Sequence, residues 1–287
     1  MVRRLLILGL AAWLLTSCSI PGLGLRRLRV GPLRTQQVDV PLPADAGQQV
    51  DLRLRFGAAR LRFAGGGDRL VKGTIRYNVE EFKPVITVSE RKVSIEQGED
   101  LEAALPPSGT RNEWDLQVSD AVPYHLRVEA GAYQGTWALG GLRLRRLEVV
   151  EGATQATYSF DRPNPEVMEA LNVTTGASRV RMVSLVNANF RQMGFDAGVG
   201  EYTLDFSGQL RQSASVRIRT GVSTVTVSVP QTTPARIRLR GALRSVRLDG
   251  NFQQDGDDYM TPGWAGASQR LDIVVEMGLG TLTLRSE

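Results

Sequence analysis

The chain repeats itself, and the repeat limits what it can fold into. Eight segments align on a small residue at Gly57, Gly131, Gly152, Gly176, Gly198, Gly221, Ala242 and Gly278. Three and five residues before each anchor the side chain is always apolar, as in Val128/Leu126, Val173/Leu171 and Ile218/Val216. Four and six residues after it the pattern returns, as in Val180/Met182, Tyr202/Leu204 and Leu282/Leu284, with small Gly135 and Ala156 as exceptions. Five residues after it stand Thr136, Thr157, Thr203, Thr226 and Thr283, or Arg62, Arg181 and Arg247, which suits an exposed strand face. Alternation on both sides of a glycine predicts two short strands joined at a corner. Glycine there allows a sharp bend or a close approach of backbones.

The anchors lie 74, 21, 24, 22, 23, 21 and 36 residues apart. A period near 22 residues is one coil of a β-solenoid. An antiparallel meander would place hairpin turns at the anchors, and such turns prefer Asn-Gly or Asp-Gly, which no anchor carries. The predicted fold is therefore all-β, a single-stranded parallel β-solenoid (β-helix) with rungs of about 22 residues. About ten rungs would make a body roughly 50 Å long. The long first gap has room for two degenerate rungs, with strands at Thr74–Val79, Val85–Val88, Val93–Glu96 and Trp114–Val118. The last gap holds one rung and a loop insertion near 251–265. The best helix candidate is short, Asn164–Ala170.

The run Asn187-Ala188-Asn189-Phe190, continued by Phe195-Asp196-Ala197-Gly198-Val199-Gly200-Glu201-Tyr202-Thr203-Leu204-Asp205-Phe206-Ser207-Gly208, resembles the toast-rack proteins. Val38–Glu99 is similar to the N-terminal segment of that family, and the resemblance covers roughly 36–287. It implies a bacterial envelope β-helix domain of largely unassigned function, similar to adhesin-type β-helices and to the outer parts of cell-wall stress-response proteins. It carries no catalytic residues to transfer.

The start of the chain reads as an export signal. Arg3 and Arg4 precede an apolar run from Leu5 to Leu15, too short to span a bilayer as a helix. Leu15, Thr16, Ser17 and Cys18 resemble the bacterial lipobox, which implies cleavage before Cys18 and acyl chains on it. Two or more chains give stable anchoring where one is marginal. Ser19 rather than Asp favours an outer membrane if the cell has one. The expected division is a signal peptide over 1–17, a lipidated cysteine and Gly/Pro/Arg tether over 18–35, a degenerate β region over 36–122 and the regular solenoid over 123–287. Removing 1–17 takes away two arginines and no acid, so the net charge of +5 becomes +3, which on an exported chain does not point to nucleic acid.

Chemistry is sparse. Cys18 is the only cysteine and His125 the only histidine, which excludes disulfide scaffolds and multi-histidine metal centres. No cofactor and no metal are expected. His125 reads as a partly exposed structural residue. Asp255, Asp257 and Asp258 read as a solvated acidic loop rather than a Ca²⁺ site, and with them the neighbours Tyr259, Met260, Pro262 and Trp264 form either a contact patch or a cap over the last rung. Arg217, Arg219, Arg238, Arg240 and Arg247 read as a basic face, in which arginines on successive rungs would repel unless acids or a ligand intervene. Asp196, Glu201 and Asp205 are the carboxylates a polysaccharide-active enzyme would use. The expected function is a lipid-anchored, non-catalytic binding or scaffold module, adhesin-like or stress-associated. Its partners would be the membrane and an envelope polymer or protein. The alternatives are a carbohydrate-active enzyme and a spacer that associates end to end.

Overall fold

The computed structural model describes residues 28–98, 107–241 and 245–286. Its strands in chain order begin with β1 (Arg34–Val40), β2 (Val50–Phe56), β3 (Ala59–Ala64), β4 (Val71–Tyr77), β5 (Pro84–Ser89), β6 (Lys92–Gln97) and β7 (Asn112–Val118). They continue with β8 (Pro123–Ala138), β9 (Arg143–Ser159), β10 (Met168–Val183), β11 (Phe190–Asp205) and β12 (Ala214–Ser228). The last are β13 (Ala235–Gly241), β14 (Ser245–Gly250), β15 (Gln253–Asp255), β16 (Asp258–Met260) and β17 (Leu271–Ser286).

Six strands, β8 to β12 and β17, are long and continuous, where the alternation predicts two separate strands each. The reason is visible in β10. Leu171, Val173 and Thr175 are buried, Gly176 and Ala177 are both exposed, and Ser178, Val180 and Met182 are buried again. Two successive outward residues shift the alternation by one step, so the strand bends and both halves face one interior. We call the half before the glycine arm 1 and the half after it arm 2. Phe195 on arm 1 and Tyr202 on arm 2 of β11 meet across the bend, with ring centroids 5.3 Å apart.

The anchor glycines stack directly on one another. A Cβ at Gly152 would lie 2.9 Å from the carbonyl oxygen of Gly131, and one at Gly176 would lie 2.9 Å from that of Gly152. The distances at Gly198, Gly221 and Gly278 are 2.7, 3.0 and 2.8 Å to the glycine carbonyl of the rung beneath. Of the two roles open to glycine, close approach is therefore the one the structure uses.

The strands pair in parallel and in register. β8, β9, β10, β11 and β12 each lie beside the next, with partners such as Leu147↔Leu171 and Ala177↔Val199. Both ends depart from chain order. β17 lies between β12 and the β13–β14 pair, so Ile273 faces Val216 on one side and Ile237 on the other. At the other end β2 and β3 lie between β8 and an outer rung made of β6 and β7. Nine rungs stack among the described residues, a body of about 40 Å.

The first gap thus adds one rung, β6 with β7, rather than two. The expected strands Thr74–Val79 and Val85–Val88 fall on β4 and β5, which run antiparallel to β7 and β6 and cover that end. β1 pairs antiparallel with β4 outside them. At the C-terminal end β16 covers β13 in antiparallel fashion, and β15 pairs with β16. Asn164–Ala170 is not a helix: Met168 begins β10, and buried Asn164 holds neighbouring coils by accepting from Leu144 N and donating to the carbonyls of Leu144 and Ala188. One sheet runs through both the degenerate and the regular regions.

The interior is filled by aligned side chains. Phe63, Trp137 and Tyr158 follow one another up the inside of arm 2, with centroids 5.1 and 5.7 Å apart. We expect Gly176→Ala to lower the unfolding free energy by ~1–3 kcal/mol, because its Cβ would press on backbone rather than on a side chain that can turn away. Gly266→Ala, which meets nothing within 4 Å, is expected to stay within ~0.5 kcal/mol of the parent. Urea unfolding of both variants measures the difference.

Candidate functional site

The two outer faces of the solenoid treat their charges differently. On arm 1, arginines and acids bridge neighbouring rungs. Arg53 binds Glu129 at 2.9 Å, Arg127 binds Glu148 at 2.9 Å and Arg146 binds Glu169 at 3.0 Å. Asp196 chelates Arg219, and Asp272 pairs with Arg236. His125 belongs to this face, with Nδ1 3.6 Å from Asp51 and Nε2 3.2 Å from Glu148. Exposed pairs of this kind contribute ~0–1 kcal/mol each.

On arm 2 the outward residues form two in-register rows along the axis. One runs Glu113, Arg60, Gln134, Gln155, Arg179, Glu201, Thr224 and Thr281. The other runs Asp115, Arg62, Thr136, Thr157, Arg181, Thr203, Thr226, Thr283 and Arg247. Arg179 pairs with Glu201 at 3.0 Å. Arg60, Arg62 and Arg181 form no ion pair with any described residue. Towards the N-terminal end the face is concave. A hollow of about 520 Å³ there is lined by Arg60, Arg62, Arg76, Gln134, Thr136 and Gln155, among others. Glu113 and Asp115 line it too, so it offers guanidinium, carboxylate, amide and hydroxyl groups, a surface suited to a ligand rich in hydroxyl groups. The spacing rule placed Arg62 and Arg181 outward. Arg60 is missed by a reading that follows only one outward position per rung.

The expected basic face is not continuous. Arg217 and Arg238 would be neighbours if rungs followed chain order, but β17 places Val274 between them. The same strand places Glu276 between Arg219 and Arg240. Arg238 is bound by both oxygens of Asp258, and that hydrogen bond holds the carboxyl of Asp258 below its usual range. Arg247 stands on arm 2, opposite Thr283.

The loop insertion packs onto the body. Tyr259 is buried on β16 opposite Ile237. Trp264 lies between the guanidinium groups of Arg236 and Arg270, 5.0 and 5.2 Å from its ring centroid. Asp255 and Asp257 are exposed near the hairpin tip. The three carboxylates considered for catalysis are all engaged: Asp196 with Arg219, Glu201 with Arg179, and Asp205 with the backbone N–H groups of Ser184 and Ser207. Among the described residues no group of three or more His, Cys, Asp or Glu is placed to hold a metal ion, and no helix is long and apolar enough to cross a membrane. Leu15, Thr16, Ser17 and Cys18 lie outside the described residues.

One titratable group is buried inside the bend. Glu151, beside anchor Gly152, is 4% exposed. Its Oε2 accepts hydrogen bonds from the hydroxyls of Tyr133 and Tyr158 at 2.7 and 2.8 Å. Burial pushes its carboxyl above the ordinary value of 4.5, and the donated hydrogen bonds only partly oppose this. Burial and the neighbouring groups push both tyrosines well above 10.0. Folding therefore makes Glu151 easier to protonate than it is in the unfolded chain.

Residues 30–166 and 162–228 match the family model described as the N-terminal domain of toast_rack, DUF2154. No curated protein matches the chain. A solved structure of a proposed cell adhesion protein from Clostridium sporogenes shares 18% identity, with a TM-score of 0.48 over 91% of this chain and 100% of that one. A proposed adhesin from Bacteroides fragilis shares 8% identity, with a TM-score of 0.37 over 88% of this chain and 97% of that one.

The Glu151 carboxyl gives a pH test. Its stabilising contribution is complete below the unfolded value of 4.5 and declines as pH rises through the raised folded value. Glu151→Gln keeps an oxygen for both tyrosines and carries no charge. The variant is expected to gain stability relative to the parent as pH rises above about 4.5, reaching a plateau once the parent carboxyl is ionised. Urea unfolding across the acid-to-neutral range measures this, and a constant offset at every pH would contradict it.

Proposed function

The chain belongs to the toast-rack family, and from that membership together with the Leu15-Thr16-Ser17-Cys18 motif we propose that it is a lipid-anchored module of the bacterial envelope that works by surface contact. The observation that carries the binding role is the contrast between the faces. Arm 1 uses most of its charges to clip rung to rung, with Arg217 and Arg240 outside those pairs, whereas arm 2 has the clip Arg179–Glu201 and leaves Arg60, Arg62 and Arg181 without a described carboxylate partner, beside rows of Gln and Thr. A rigid sheet holds the backbone of these donors at fixed spacing, so the order gained on binding is confined to side chains. The ligand class is an envelope polymer or a protein presenting acidic or hydroxyl oxygens. Family membership supports an extracytoplasmic setting, and the Leu15-Thr16-Ser17-Cys18 motif supports acylation at Cys18, with an outer membrane favoured by Ser19.

Two measurements test this. Fatty-acid labelling in cells is expected to mark the parent and not Cys18→Ala, which should also leave the membrane fraction. Arg60→Ala/Arg62→Ala is expected to weaken retention on anionic envelope polysaccharide or on a co-purifying protein by about tenfold or more. Arg219→Ala on arm 1 should leave retention unchanged. Equal loss with both variants, or none with either, would argue against arm 2 as the ligand surface.

A further inference from the structure

The apolar interior ends uncovered at one place. β14 pairs with β17 along one edge and has no strand partner along the other among the described residues. Val246 and Leu248 continue the inward rows that end in Leu282 and Leu284 of β17. Leu282 and Leu284 are 0% exposed, whereas Leu248 is 48% exposed. At the opposite end, Trp114 and Leu116 of β7 are 1% and 0% exposed because β4 covers them. On arm 1 of the C-terminal rung, β16 covers β13. Only the arm 2 half of that rung keeps a free edge, and an uncovered edge of this kind invites another strand.

We infer that this edge pairs with β14 of a second copy, antiparallel, about a two-fold axis through Leu248. The charges of the strand select that partner and that register. With Leu248 opposite the partner's Leu248, Arg247 faces the partner's Asp249 and Asp249 faces the partner's Arg247, all on the outer surface. Sliding the pairing by one step in either direction sets Arg247 against the partner's Arg247, or Asp249 against the partner's Asp249. An intermediate register would oppose inward and outward residues and is excluded by the pleat. Arg247 forms no ion pair with a described residue, and the Asp249 side chain is 66% exposed and, among the described residues, pairs only with Arg285, at 3.5 Å. The interface is isologous, so the pair closes on itself and does not grow into a fibre. It uses the edge of arm 2 and leaves its outer face to a ligand, so it is independent of the function proposed above.

The full chain in detergent micelles is expected to sediment as a dimer. Arg247→Asp alone and Asp249→Arg alone each create two like-charge contacts and should weaken dimerisation at least about tenfold. An equimolar mixture of the two variants restores both opposite-charge contacts and should dimerise again. In a Cys18→Ser background, Leu248→Cys places two thiols at the axis, with Cα atoms ~4.5–5.5 Å apart, within disulfide reach. Val246→Cys places its thiols roughly 14 Å apart. Oxidation should therefore cross-link the first variant and not the second. A monomeric parent, a mixture that stays monomeric, or equal cross-linking at both positions would each overturn the inference. Circular dichroism of each variant separates loss of pairing from loss of fold.

Discussion

The structure depends on how closely the backbone of one rung approaches that of the next at the bend. At Gly152, Gly176, Gly198, Gly221 and Gly278 the carbonyl of the anchor glycine beneath lies so near that a methyl group would sit 2.7 to 3.0 Å from its oxygen, and at Gly131 the distance is 3.4 Å. Weak Cα–H···O=C contacts suit this geometry. The larger effect is on register. A rung that slipped by one residue would put a side chain where only hydrogen fits and would turn its apolar residues outward. Bend, register and interior are thus set together by one atom's absence.

Because the bend brings both arms onto one interior, the inward residues have little freedom. The aromatic run Phe63, Trp137 and Tyr158 and the buried Glu151 with its two tyrosines are consequences of in-register stacking. The outward residues are free to differ, and the two faces diverge. Arm 1 became a set of cross-rung ion pairs. Arm 2 became an array mostly of Thr, Gln and Arg, hollowed towards the N-terminal end. A solenoid can vary one face without disturbing the other because successive side chains point to opposite sides of the strand.

Much of this was legible in the sequence. The anchors gave the rungs, and alternation gave the inward and outward residues, since both follow from strand geometry alone. The connectivity of the ends was not legible. Val93–Glu96 and Trp114–Val118 look like any other rung strands, and nothing local says that β2 and β3 will lie inside them. Ile273 and Ile237 occupy equivalent repeat positions, so the pattern cannot tell which lies nearer Val216. The basic face was misread for that reason. The only sequence signal was electrostatic: stacking rungs in chain order would set Arg217 on Arg238 and Arg219 on Arg240. Asp258, Tyr259 and Trp264 left cap and contact patch equally open, because packing against Arg238, Ile237 and Arg236 depends on contacts between distant segments.

The place of β17 has a consequence for how the molecule is made. The chain is made amino end first, and rungs β8 to β12 can close one upon another as they appear. The next rung to emerge, β13 with β14, cannot take its final seat, because the strand that belongs between it and β12 consists of residues 271–286. Until those residues arrive, the far end has only an arginine-on-arginine stack available to it. The carboxyl-terminal strand therefore acts as a keystone, and a chain that stops short of it leaves β13 and β14 without the strand they pair with.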